Sequence, residues 1–154
     1  MREQGIKVIS KNRKASHEYH LGERYEAGLV LTGTEIKSIR GHKVDLKRGF
    51  ARLVRGEMWL YDVHISPYEQ GNRENHEPER PRKLLLHRKE IAQIERATQE
   101  KGTTIIPTRL YLKNGYAKVE VAVATGKKLY DKRQDIAKRD AQRQVERALR
   151  EKYR

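Results

Sequence analysis

The chain has 154 residues, 36% of them apolar, with 35 Lys plus Arg against 21 Asp plus Glu, a formal net charge of +14 and no cysteine. This composition supports one modest core, excludes disulfides, thiolate metal sites and thiol nucleophiles, and calls for an anionic partner to offset self-repulsion. No run approaches the ~18 apolar residues of a membrane helix and no basic-then-apolar leader opens the chain, so a cytoplasmic nucleic-acid-binding protein is expected.

Ile6-Lys7-Val8-Ile9 reads as a short strand leading into the basic loop Lys11-Asn12-Arg13-Lys14. His17 and His20 lack a third ligand at a usual spacing, so no metal is expected there. From Tyr25 the alternation is clear: Tyr25, Ala27, Leu29 and Leu31 face one way and Glu26, Gly28 and Val30 the other, a half-buried strand. Glu26 is then either a surface ion-pair partner or an acceptor for base and ribose donors. Thr32 and Glu35 have the capping-box spacing for a short helix through Ile36 and Ile39 that Gly41 stops.

A hairpin follows, Phe50 to Val54 against Met58 to Ile65 across Arg55-Gly56. Trp59, Tyr61, Val63 and Ile65 share a face in the second strand, and that face is assigned to the core. Residues 69–82 contain two prolines and almost nothing apolar, which predicts a long, exposed, mobile loop. Lys83-Leu84-Leu85-Leu86 is a strand or the lead-in to a helix over 88–101, with Ile91, Ile94 and Ala97 on one stripe and Gly102 as the stop.

Asn114-Gly115 is a two-residue type I′ turn and fixes the register of the last hairpin. Leu112 falls opposite Ala117 and Leu110 opposite Val119 on the core face. Tyr111 falls opposite Lys118 and Arg109 opposite Glu120 on an exposed one. A mainly β (α+β) fold follows: a small antiparallel Greek-key barrel of OB type over residues 1–125, with two or three flanking short helices.

Residues 126–154 differ in character. Gly126 ends the last strand, and Lys127, Lys128, Asp131, Lys132 and Arg133 surround Tyr130, a pattern suited to phosphates and a stacked base. Beyond them Ala137, Ala141, Val145, Ala148 and Leu149 make a thin apolar stripe, supported by the i,i+4 pairs Asp135–Arg139 and Glu146–Arg150. Such a tail is expected to be disordered when free and helical against a polyanion.

Together these stretches resemble the SsrA-binding protein family, small protein B, the partner of transfer-messenger RNA (tmRNA) in bacterial trans-translation. The resemblance is carried in order by Asn12-Arg13-Lys14-Ala15 with His17-Glu18-Tyr19, Glu26-Ala27-Gly28, Gly33 to Ser38, His64 to Tyr68, Arg82 to His87, and Gly126-Lys127-Lys128 with Asp131-Lys132-Arg133. Asp45 to Phe50 departs from the family's Asn-Leu-x-Asp-Ser-Tyr, and Ala141 stands where a bulky aromatic is common.

The resemblance implies that Asn12, Arg13, Lys14, Glu26, Leu85 and Lys118 meet the tRNA-like domain of tmRNA, with His17 and Lys83 as further candidates. It also implies that Lys127, Lys128, Tyr130, Asp131, Lys132, Arg133, Arg139, Arg143 and Leu149 enter the ribosome's decoding region and empty mRNA channel. No catalytic residue, metal or cofactor is implied, and a monomer on its RNA is expected. The competing readings are a generic tRNA-binding module of a translation factor or synthetase, and an RNA-processing enzyme, which would need clustered acids.

Overall fold

Asn114 and Gly115 turn the chain with φ of 51° and 85°, and the hairpin they close, β8 (Thr103–Lys113) and β9 (Tyr116–Gly126), is the spine of the molecule. All four expected pairs form: Leu112 with Ala117, Tyr111 with Lys118, Leu110 with Val119 and Arg109 with Glu120. The computed structural model describes residues 5–70, 75–127 and 139–147.

The preceding chain supplies β1 (Ile6–Lys11), α1 (Ala15–Glu18), β2 (Tyr19–Leu29), α2 (Gly33–Arg40), β3 (Val44–Asp45), β4 (Phe50–Val54), β5 (Glu57–Tyr61), β6 (His64–Ile65), β7 (Arg82–Leu85) and α3 (Arg88–Thr98). β3 and β6 pair with each other as a separate two-stranded sheet. The main sheet runs β1-β8-β4-β5-β7-β2-β9, and β9 pairs back onto β8, so every strand of this sheet but β1 lies in a closed ring. All its ladders are antiparallel. This is the expected small barrel with three short helices. Closure leaves few unpaired strand edges. Ala27, Ile39, Leu110, Val119 and Val121 are fully buried at its centre, with Leu46, Met58, Leu60 and Ile94 packed around them.

Two expectations are corrected. Met58 and Leu60 fill the core, while Trp59 and Tyr61 are half-buried on the outer face. The assignment fails because Asp62 takes a left-handed φ of 57°, which reverses the alternation and returns Val63 and Ile65 to the interior. The segment before β7 is likewise anchored rather than wholly exposed over its described residues 75–81. His76 is buried, with Nε2 2.8 Å from the Ile65 carbonyl oxygen and Nδ1 2.9 Å from Thr34 Oγ1.

Arg82, just after that segment, is completely buried. Its Nε donates to Glu35 Oε2 at 2.5 Å and its two terminal nitrogens to the Val63 and Pro78 carbonyls. Glu35 therefore has two tasks. The capping box forms as expected, with the Thr32 amide donating to Glu35 Oε1 at 2.8 Å. The same oxygen accepts from Arg80 at 2.6 Å. Burial opposes the charge on Glu35, but the bonds from Arg80, the Thr32 amide and Arg82 outweigh it and hold the carboxyl below its usual range.

Residues 139–147 are helical, and each of them is exposed, Val145 included. Arg139 Nη2 lies 3.2 Å from His17 Nδ1. The expected behaviour of the rest of the tail concerns residues 128–138 and 148–154, which lie outside the described residues.

Candidate nucleic-acid interface

Three adjacent strands, β7, β2 and β9, meet at one level of the barrel. Gly28 on β2 is the register partner of Leu85 on β7 and of Lys118 on β9. Because Gly28 has no side chain, its neighbours can approach each other over it. A Cβ there would lie 3.3 Å from Leu85 Cβ and 3.6 Å from Lys118 Nζ. Leu85 is 53% exposed, unusual for a leucine in a strand of this fold.

Glu26, two residues back on the same face, completes the cluster. A groove of about 650 Å³ runs over these residues, lined also by Lys83, His87 and Arg88. Its floor is apolar and its walls carry both signs of charge. Lys83 is 3.3 Å from Glu57 on the neighbouring strand β5.

Glu26 is held ready as an acceptor. Tyr111 donates its hydroxyl to Glu26 Oε2 at 2.5 Å, and Lys113 Nζ lies 3.3 Å from Oε1. The Tyr111 bond chiefly, with Lys113 and the nearby charge of Lys118, overcomes partial burial and keeps the carboxyl below its ordinary range. Tyr111 itself is 2% exposed, so the expectation of an exposed Tyr111 is corrected. Its hydroxyl is pushed far up by burial and by Glu26. Arg109, not Lys118, covers its ring, at 4.8 Å from the centroid. Arg109 also pairs with Glu120 at 3.1 Å, as the register required.

The expected site residues thus fall into groups. Glu26, Lys83, Leu85 and Lys118 come together in the groove. Arg13 and Lys14 are exposed on the loop between β1 and α1, and His17 lies half-buried on α1, towards the opposite end of β2. The separation along β2 from Tyr19 to Glu26 is roughly 20 Å at ~3.3 Å per residue.

Asn12, expected to meet the tRNA-like domain, is tied into the barrel. It is buried, and its Nδ2 donates to the carbonyls of Pro107, at 3.0 Å, and Leu46, at 3.4 Å, so the amide fastens the loop to the barrel. In the tail, Lys127 is described, and its backbone amide donates to the Glu18 carbonyl at 3.1 Å. Arg139 and Arg143 lie on the exposed helix. Lys128, Tyr130, Asp131, Lys132, Arg133 and Leu149 lie outside the described residues. Among the described residues no cluster of His, Cys, Asp or Glu could hold a metal, and no helix is long and apolar enough to cross a membrane.

Sequence reasoning missed Gly28, Tyr111, Lys113, His87 and Arg88. The turn register placed Tyr111 and Lys113 on the same outer face as Lys118, and that parity was the available signal.

A family model described as "SmpB protein" matches residues 9–151. The chain belongs to the SmpB family. It is 59% identical over 147 residues to the SsrA-binding protein of Carboxydothermus hydrogenoformans, covering 96% of this chain and 99% of that protein. The SsrA-binding protein of Bacillus pumilus is 59% identical over 146 residues, covering 95% of this chain and 94% of that one. The SmpB family also provides a solved structure, described as "tmRNA-SmpB: a journey to the center of the bacterial ribosome". It superposes with a TM-score of 0.67 at 45% identity, over 78% of this chain and 85% of that one. The SmpB fold is therefore this chain's fold.

Proposed function

We propose that this chain binds the tRNA-like domain of tmRNA in the groove beneath Leu85 and delivers alanyl-tmRNA to stalled ribosomes in the bacterial cytoplasm. The observation that carries the groove assignment is the convergence of Glu26, Leu85 and Lys118 around Gly28. An exposed aliphatic side chain packs on an unstacked base, a carboxylate without its proton accepts from base or ribose donors, and a lysine neutralises phosphate. RNA binding of this kind needs no reacting group, and the chain acts as an adaptor rather than a catalyst.

β9 ends at Gly126, away from the groove, and the basic residues from Lys127 onward follow it in the chain. In this reading they occupy the decoding region and the empty mRNA channel, with Tyr130 stacking on a base and Lys127, Lys128, Lys132, Arg133, Arg139 and Arg143 on phosphates. Residues 1–125 hold the tmRNA and residues 126–154 address the ribosome. Pull-down from a total RNA pool tests the first half: selective recovery of tmRNA over bulk tRNA is expected, and equal recovery would favour a generic tRNA-binding module. Tyr130→Ala tests the second. It should bind tmRNA normally and slow tagging on ribosomes stalled without a message; normal tagging would sink the stacking role.

A further inference from the structure

A second cavity, of about 390 Å³, lies at the corner where the loop after β1, α1, the start of β4 and β8 meet. It falls in the size range of small-ligand sites, ~300–1,000 Å³. Its lining differs from that of the groove in every residue. Ala15 and Ile106, both nearly fully buried, belong to one apolar cluster against which Tyr19 packs. Tyr19 and Phe50 supply half-buried rings, and Phe50 is stacked on Tyr61 at 5.4 Å, which fixes its plane. Lys14, Lys47 and Arg48 are exposed, and none of them makes a salt bridge with a described residue. Three cations thus face one carboxylate of the lining, Glu18. Asn12 also lines the cavity, and its covered Oδ1 has no donor among the described residues.

Unpaired cations call for an anion, while aromatic walls over an apolar patch call for a planar, weakly polar guest. A nucleotide is both. We propose that this cavity seats one unpaired nucleotide, its base beside Tyr19 and Phe50 and its flanking phosphates on Lys14, Lys47 and Arg48. The inference rests on the chain being the RNA-binding protein proposed above, but places a second contact at the other end of β2. The Glu18 carbonyl, at the edge of this cavity, accepts from the amide of Lys127, so the guest sits beside the point where the basic tail departs. The nucleotide can come from the tmRNA or from ribosomal RNA, and the two sources are separable.

The full chain is irradiated with ultraviolet light in two arms, one with whole tmRNA and one with purified ribosomes, and the peptide–nucleotide adducts are mapped by mass spectrometry. Adducts on Tyr19 or Phe50 are expected in at least one arm, and the arm that gives them identifies the RNA. The variant K47A/R48A, both positions exposed, should retain its melting temperature. It should flatten the log–log salt dependence of binding to that RNA by about 1.4–1.8, or ~0.7–0.9 per lost phosphate contact. Adducts confined to residues 83–88 in both arms, or an unchanged salt slope in K47A/R48A, would overturn the proposal. Glu26→Gln separates the two sites: it should weaken the groove contact and leave the Tyr19 and Phe50 adducts in place. Adducts at Tyr19 or Phe50 without any in the groove would refute the groove assignment and uphold this one.

Discussion

Leu85 and Lys118 stand on either side of Gly28, each the register partner of that single glycine. The pairing makes the groove a property of backbone registration: three strands must align for an apolar and a cationic side chain to share one patch. Gly28→Ala is the direct probe. The new methyl would press on Leu85 and on the mobile end of Lys118, and contacts of 3.3–3.6 Å can be relieved by small shifts. The melting temperature should change by only a few degrees, while tmRNA affinity falls about tenfold, on the order of 1.4 kcal/mol. Unchanged affinity in a filter-binding titration would show that Leu85 and Lys118 do not act over Gly28.

Leu85 and Lys118 should fail in different ways. On the proposed groove contact, Lys118→Ala should flatten the log–log salt slope for tmRNA by about 0.7–0.9, the loss of one phosphate. Leu85→Ser removes packing without charge, so affinity should drop at every salt concentration with the slope preserved. Because Leu85 is half exposed, its loss costs the fold little. The pair is checked by titrations across a range of salt, and equal slopes in the two variants would refute the division.

Tyr111 acts through Glu26. Tyr111→Phe removes the largest influence that lowers the Glu26 pKa from 4.5. A carboxyl depressed in the folded state stabilises the protein above its unfolded pKa, and that contribution disappears as pH falls through the lower folded value. Urea denaturation should therefore show wild-type stability declining below pH 4.5, and a shallower decline in Tyr111→Phe. At pH 7 the variant should lose about 1 kcal/mol. Parallel curves for the two proteins would mean that the hydroxyl does not govern Glu26.

The Glu35–Arg82 pair carries the largest stability forecast. Glu35→Ala strands a fully buried guanidinium, at a cost of about 3–5 kcal/mol, and removes the Glu35 half of the α2 capping box, up to about 1 kcal/mol more. Domains commonly hold only about 5–15 kcal/mol in total, so the variant should be largely unfolded or melt far below the wild type. Arg80→Ala, at a position 30% exposed, should cost about 1 kcal/mol. Restoration of most of the lost stability by Glu35→Gln alone would show that the charge on Glu35 is dispensable.

The elements legible in the sequence were those specified by residues close together in the chain. Asn114-Gly115 needs only its own backbone to impose φ above zero, and it fixed the register of β8 and β9 down to Arg109–Glu120. Thr32 and Glu35 announced the cap of α2 by their spacing. The misread features depended on distant partners. Arg82 looks like a solvent residue until Glu35, Val63 and Pro78 are folded around it. Trp59 has the apolar surface of a core residue, yet the reversal at Asp62 gave the interior to Met58 and Leu60. The chemistry of Glu26, Leu85 and Lys118 could be read from residue types and from the family pattern. Their meeting point, the pairing of Gly28 on the strand of Glu26 with both Leu85 and Lys118, could not be read from any one segment.

β9 is one strand with Lys118 near its start and Gly126 at its end, and the irregularities in its two ladders fall on its partners, at 22–23 in β2 and at Thr108 in β8. It therefore works as a ruler of about 26 Å between the groove and the root of the tail. Lengthening this ruler by one residue, on β8 as well as β9, would turn every outward side chain beyond the insertion inward and take Lys118 or the tail root off its face. Two residues would preserve the faces and add about 7 Å. The reach between the two ends of this adaptor is quantised, and variants of it can be longer or shorter only in whole pleats.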